Sequence, residues 1–447
     1  MKNKGEKNMK KIFTVLFLMA AAFTLFACNN DSGGDVLVIR AWNDEFQNRF
    51  RDYYPDYDKT NSDGTDVLKD GTIVKWVIVA NDDNAYQNAL DLALQNQDSA
   101  KADDKVDMFL VEADYALKYV NSDYTLDIIE DLGIDKADLN QQYQYTQDIV
   151  TSEDGKLKGT SWQATPGLFA YRRSIAEDVL GTDDPVEVQA LIDTWAKFDG
   201  VAEDMKDAGY YMLSGYDDAY RTFSNNMSNP WVNSNDEIVV DDVILDWIEQ
   251  TKIYSDNNYN HGASLWDSTW SADQSADGEV FGFFYSTWGI NFTLQGNAGE
   301  DGFGDWAVAQ GPASYYWGGT WITAAKGTDN KDLVKDIMLK LTADKDIMKQ
   351  ITIDTQDYTN HKEAMQELAD DPDFGSDFLG GQNHIALFVE SAEAISMENI
   401  SPYDQALNEG IQTAFRDYFS GEITEAAAWD NFYEIVLAKH PELKRKD

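Results

Sequence analysis

Carboxylates and indoles dominate the side chains of this sequence that could do chemistry. There are 80 Asp and Glu against 35 Lys and Arg, with 13 Trp and 23 Tyr. Setting aside residues 1–27, which hold five Lys and one Glu, leaves 30 basic and 79 acidic side chains, a net of −49. Such a surface repels nucleic acid and anionic lipid, and both drop out as partners. Most of these carboxylates read as the solvated surface of an exported chain. Aromatics, at 13% of residues, exceed what a core requires. The two sets together suit one ligand class. Sugar hydroxyls donate hydrogen bonds to carboxylates, and the C–H faces of pyranose rings pack on indole and phenol.

Other chemistries lack their residues. His261, His361, His384 and His440 are scattered, with no His-Glu-x-x-His. Gly-x-Ser-x-Gly and the phosphate-loop pattern are missing. Neither a metal nor a cofactor is predicted. Asn61, Asp63 and Gly64 match part of a calcium loop, but Lys59 stands where the first ligand belongs. A secreted glycoside hydrolase would also carry aromatics and paired carboxylates. No motif here sets one carboxylate as acid and another as nucleophile, so an enzyme is not predicted. A glycan-binding surface adhesin is the other alternative.

The one cysteine, Cys28, follows Leu25-Phe26-Ala27. Lys2, Lys4, Lys7, Lys10 and Lys11 precede an uncharged apolar run, Ile12 to Ala27. That is the layout of a signal peptide over 1–27, too short for a bilayer span of ~20 residues. Met9 is a second natural start. A lone Cys allows no intramolecular disulfide. Leu-x-Ala-Cys resembles the lipobox of bacterial lipoproteins, which implies lipidation of Cys28, a tether over 28–35, and a chain anchored on the outer face of the cell membrane.

The elements that must position a site follow. Val36 to Ile39, Ile73 to Ala80 and Val106 to Val111 are apolar, β-branched runs that predict strands. Arg40 to Arg51 reads as a loop entering a helix, and Asn84 to Gln95 has helical spacing. Strand, helix, strand, helix, strand predicts an α/β unit with parallel pairing. In such sheets ligands bind beyond the carboxyl ends of the strands. Those ends offer Trp42, Asn43, Asp44 and Glu45, then Asn81 to Asn84, then Glu112, Asp114 and Tyr115. A helical, acidic region runs to about Lys252, Phe281 to Phe292 reads as a strand entering a turn at Ser286 to Gly289, and two amphipathic helices close the chain. Trp195, Trp247 and Trp429 read as core.

From Asp35 onward the chain resembles the carbohydrate-binding lipoproteins of ABC importers, the solute-binding type related to maltose-binding protein. The carriers are Trp162 to Tyr171 with its Thr-Pro-Gly, Asp305-Trp306-Ala307-Val308 before Gly311-Pro312, and Gly318 to Thr323 leading through Lys326-Gly327 into Asn330-Lys331-Asp332. The resemblance implies two α/β lobes joined by three crossings, near Trp162 to Gly167, Gln310 to Tyr315 and Phe374 to Gln382. It implies lobe one over 36–163 and 315–375, and lobe two over 164–314 and 376–447. An oligosaccharide would sit between them, in a monomer that docks on permease subunits. The contacts it implies are Asn43, Asp44, Glu45, Asp83, Glu112, Asp114, Trp162, Tyr216, Asp217, Trp288, Trp317, Trp321 and Tyr403. Trp288 and one or two of Trp162, Trp317 and Trp321 are expected to stack on sugar rings.

Overall fold

A computed structural model describes residues 36–446. The expected leader over 1–27, Cys28 and the expected tether over 28–35 lie outside the described residues. The first sheet takes β1 (Val36–Ala41), β2 (Tyr57–Thr60), β3 (Asp66–Leu68), β4 (Ile73–Ile78), β5 (Met108–Glu112) and β6 (Gly159–Thr160). The second takes β7 (Gly167–Arg172), β11 (Gly282–Ser286) and β12 (Trp306–Ala309); between β7 and β11 in the chain come β8 (Leu213–Gly215) and β10 (Asn260–Ala263), which pair with each other, and β9 (Glu237–Ile238), which pairs with Lys444–Arg445. The chain then returns to the first sheet as β13 (Thr320–Ala324).

The first sheet has the order β2-β3-β4-β1-β5-β13-β6. β1 pairs in parallel with β4 and β5, as the apolar runs predict. Its Leu37, Val38 and Ile39 are buried on both faces. β13 runs antiparallel to β5 because it arrives from the other lobe instead of from a crossover helix. The β2–β3 hairpin is absent from the sequence reading, since its strands are short and polar. It absorbs the partial calcium loop: Asn61 N–H donates to Thr65 O, and Asp63 Oδ1 accepts from Thr65 N–H and Oγ.

In the second lobe β7 lies between β11 and β12, antiparallel to both. A Tyr211–Val280 bridge carries this sheet on to β8 and β10. Its core holds Phe169, Phe198 and Phe284 on one side, and Tyr220, Trp247 and Phe419 under the long helices Asp242–Asn257 and Asp404–Phe419 on the other. Trp247 is fully buried; Trp195 and Trp429 pack against the core half-buried.

Three segments cross between the lobes, at 161–166, 310–319 and 370–383. The first two pair with each other. Gly167 N–H donates to Tyr315 O at 2.7 Å, Trp317 N–H to Thr165 O at 3.1 Å, and Thr165 Oγ1 to Gly318 O at 2.8 Å. Gly167 is obligatory there, because a Cβ would stand 2.0 Å from the Tyr315 ring.

Candidate functional site

The carboxyl ends of β1 and β5 open between the lobes, facing the end of β11. A cavity of about 270 Å³ lies there. Trp42, Asn43, Glu45 and Glu112 line it from the first lobe, Trp288, Asn291 and Phe292 from the second, and Gln163 and Trp317 from the crossings. The sequence predicts a turn at Ser286 to Gly289. The structure instead has β11 run straight into a helix from Thr287 to Ala298, so Trp288 stands in its first turn, over the cavity. The Trp288 indole N–H donates to Trp317 O at 3.1 Å, and the two rings meet edge to face at 5.4 Å. Thr287 Oγ1 and Asn291 Nδ2 are buried without a partner among the described residues, which leaves two open valences on the wall.

The opposite wall is acidic. Gln163 Oε1 accepts Thr320 N–H at 3.1 Å, which turns its amide nitrogen toward Glu45 Oε1 and Asp357 Oδ2, each at 2.9 Å. Burial, then the Asp357 charge, pushes the Glu45 carboxyl up to about 7, against Arg49 at 3.8 Å. Glu112 accepts Asp114 N–H at 2.8 Å. Burial and the Asp114 charge push Glu112 up to about 8. Asp114 itself is taken by Arg221 of the second lobe, Nη1 to Oδ1 at 2.7 Å. Burial opposes the Arg221 charge, but Asp114 outweighs it and raises the guanidinium pKa. This pair ties one lobe to the other. Gln405 adds a second tie, its amide 3.3 Å from Asn84 Oδ1.

The structure therefore brings Asn43, Glu45, Glu112, Trp288 and Trp317 around one cavity, and Trp42 joins them. Asp114 and Asp217 line neighbouring cavities. The other expected contacts do not line this one. Trp162 is 1% exposed and stacked on Phe46 at 5.2 Å. Trp321 is fully buried, its indole N–H on Thr146 O at 2.7 Å. Both are core side chains, because their strand and crossing positions point them into the first lobe. Asp44 is exposed at the start of helix Glu45–Tyr53, and Asp83 is exposed in a left-handed turn, φ 50°. Tyr216 rests on Phe419, and Tyr403 meets the His440 ring at 5.1 Å.

Gln163, Asp357, Arg221, Trp266 and Phe292 are cleft residues that the sequence reading passes over. Phe292 is 83% exposed at the cavity rim. Trp266 carries the one faint signal, a Trp one residue before the helix-capping Asp267. The remainder reach the cleft only through the meeting of the lobes.

Residues 53–376 match the family model for bacterial extracellular solute-binding proteins. Solved structures share the fold at low identity. One, titled extracellular solute-binding protein family 1, has a TM-score of 0.71 at 16% identity, covering 90% of this chain and 98% of its own. An ABC transporter associated binding protein from Bifidobacterium animalis subsp. lactis, in complex with β-1,6-galactobiose, has 0.67 at 16%, covering 93% and 100%. The galacto-N-biose/lacto-N-biose I-binding protein of Bifidobacterium longum, in complex with lacto-N-biose, has 0.65 at 14%, covering 93% and 100%. A search of curated sequences finds no significant match.

Proposed function

The chain belongs to the bacterial extracellular solute-binding protein family, and on that premise we propose that it captures a neutral oligosaccharide and delivers it to the permease subunits of an ABC importer. The observation that carries this reading is the inter-lobe cavity itself. Trp42, Trp288 and Trp317 offer apolar faces there, and Glu45, Glu112, Gln163 and Asn291 offer hydrogen-bonding groups at its wall. The related folds that hold β-1,6-galactobiose and lacto-N-biose support the same ligand class. Residues 36–163 with 315–375 act as one lobe, and 164–314 with 376–447 as the other. Sugar that touches both lobes favours the closed form by its differential affinity for it. Micromolar binding corresponds to ~8 kcal/mol, within reach of a few stacked rings and charge-assisted hydrogen bonds. Acylated Cys28 anchors the monomer to the outer face of the membrane.

A second reading, hydrolysis, has one observation in its favour. Glu45 and Asp357 share a single amide nitrogen, with Glu45 held near neutrality, which resembles an acid beside a carboxylate. One experiment separates the two. The protein from Asn29 onward is titrated with neutral oligosaccharides by calorimetry and Trp fluorescence, and the sugar is then analysed for new reducing ends. Saturable binding with intact sugar, lost in Trp288→Ala, is the expected result. Cleavage products would replace the receptor with a hydrolase.

A further inference from the structure

The cavity between the lobes holds more acid than an uncharged ligand can use. Glu45, Asp357 and Glu112 line it together, and Arg49 is the one cation among its lining residues. Arg49 stands 3.8 Å from Glu45, beyond hydrogen-bond reach, and Arg221 is spent on Asp114. Glu45 and Asp357 crowd a single amide nitrogen, that of Gln163. Asp44 adds to the charge felt by Glu45, and Asp114 and Glu409 to that felt by Glu112. Like charges crowded into a site poor in water either keep protons or take up a cation. Burial already drives Glu45 and Glu112 toward the first course. A ligand that brings its own cation opens the second.

The hydrogen-bonding groups of the wall carry the same bias. Ionised carboxylates only accept. Glu112 takes Asp114 N–H on Oε2, while its Oε1 lies beside Gly318, 3.5 Å from where a Cβ would stand. Thr287 is fully buried at this wall, yet its Oγ1 has no partner among the described residues and is open to accept. The donors are mostly taken. The Gln163 amide serves its two carboxylates, and the Trp288 indole N–H serves Trp317 O. Asn291 Nδ2 is left as a donor without a partner among those residues. An ammonium brings three N–H donors and no acceptor, which suits a wall rich in acceptors better than a hydroxyl does. Trp42, Trp288 and Trp317 share the cavity, and indole faces attract a cation.

We propose that the cavity prefers a sugar that carries a basic nitrogen over its neutral counterpart, with the ammonium held by Glu45, Asp357 and Glu112. This rests on the sugar-binding reading above and adds a charge class to it. The test uses the protein from Asn29 onward and matched sugars at about pH 6.5, where a sugar amine is protonated. The panel pairs glucose with glucosamine, galactose with galactosamine, and cellobiose with the β-1,4-linked glucosamine dimer, and adds the N-acetyl form of each amine. In the series that binds, the free amine should bind about tenfold or more tightly than its neutral partner, because its hydrogen bonds are charge-assisted. The N-acetyl form, which has no charge, should lose that gain. Glu112→Gln and Asp357→Asn should each cut the amine-to-neutral ratio to about threefold or less. Calorimetry in buffers of different ionisation heat should show the amine taking up about one proton fewer than the neutral sugar, since the cation stands in for a carboxyl proton. Circular dichroism melts confirm that each variant is folded. A neutral sugar that binds as tightly as its amine, or an amine preference untouched in both variants, overturns the cation site and leaves the sugar reading standing. Failure of the wild type to bind any member, neutral or amine, overturns the sugar reading and the cation site with it.

Discussion

Replacing Arg221 with Met should open the ligand-free protein. Arg221 stands on the short helix Tyr220–Ser224 of the second lobe, and Asp114 follows β5 in the first. Their side chains keep only 16% and 18% of their exposure. Unit charges ~4 Å apart attract by about 4 kcal/mol at an effective dielectric of 20. Breaking a buried pair from one side costs about 3–5 kcal/mol, since the other charge is left unpaired. The residual exposure brings this pair to just below that range, about 2–3 kcal/mol. Both partners sit on different lobes, so the cost falls on the closed form and not on either core. A closed-to-open ratio that falls by ~30–150-fold follows at about 1.4 kcal/mol per factor of ten. Small-angle scattering of residues 29–447 without ligand should show a larger radius of gyration in Arg221→Met. Asp114→Asn should open the protein too, and the double variant should recover part of the loss because no charge is orphaned. Sugar affinity should drop by no more than the same factor. Scattering profiles and affinities that match the wild type in both single variants would refute the reasoning.

Closure should weaken with rising pH. Glu45 and Glu112, raised by burial to about 7 and about 8, titrate near 4.5 when solvated, so the closed form holds protons that the open form releases. The closed form is then unpenalised below pH ~4.5 and loses up to about tenfold per pH unit for each proton as pH climbs to 8; scattering or affinity that is flat or improves from pH 5 to 9 would sink this. Trp321→Ala should cost about 3–5 kcal/mol in denaturant melts, as expected for a buried Trp, while the folded fraction keeps its sugar affinity. Gly167→Ala should lower the melting temperature and disturb inter-lobe scattering together, because its Cβ collides with Tyr315 where two crossings meet.

The parallel order β4-β1-β5 and the polar loops at its carboxyl ends were legible because continuous apolar runs mark doubly covered strands. Asn43, Glu45 and Glu112 follow from that rule alone. The tryptophans divide less readably. Trp288 and Trp321 both follow a strand or lie in one, and only the packing around them sends one to the cleft and the other to Thr146. Asp83 sits in the right loop, but a left-handed turn carries it out to solvent. Arg221 and Asp357 gain meaning from partners more than a hundred residues away in the chain, at Asp114 and Gln163. No local pattern encodes such meetings.

The pairing of the first two crossings has a mechanical consequence. Segments 165–167 and 315–317 form a two-stranded ribbon, not two independent strings, and a ribbon yields to torsion more easily than to stretch. Gly318 and Gly319, both at positive φ, follow directly on one edge of it and can absorb the twist. Trp317 rides on that same edge, as the partition between the cavity beneath Trp288 and the neighbouring one that Asp217 lines. Rotation about this ribbon would carry Trp317, and so the partition, with it. The indole is thus placed to couple what fills the cleft to the set of the hinge.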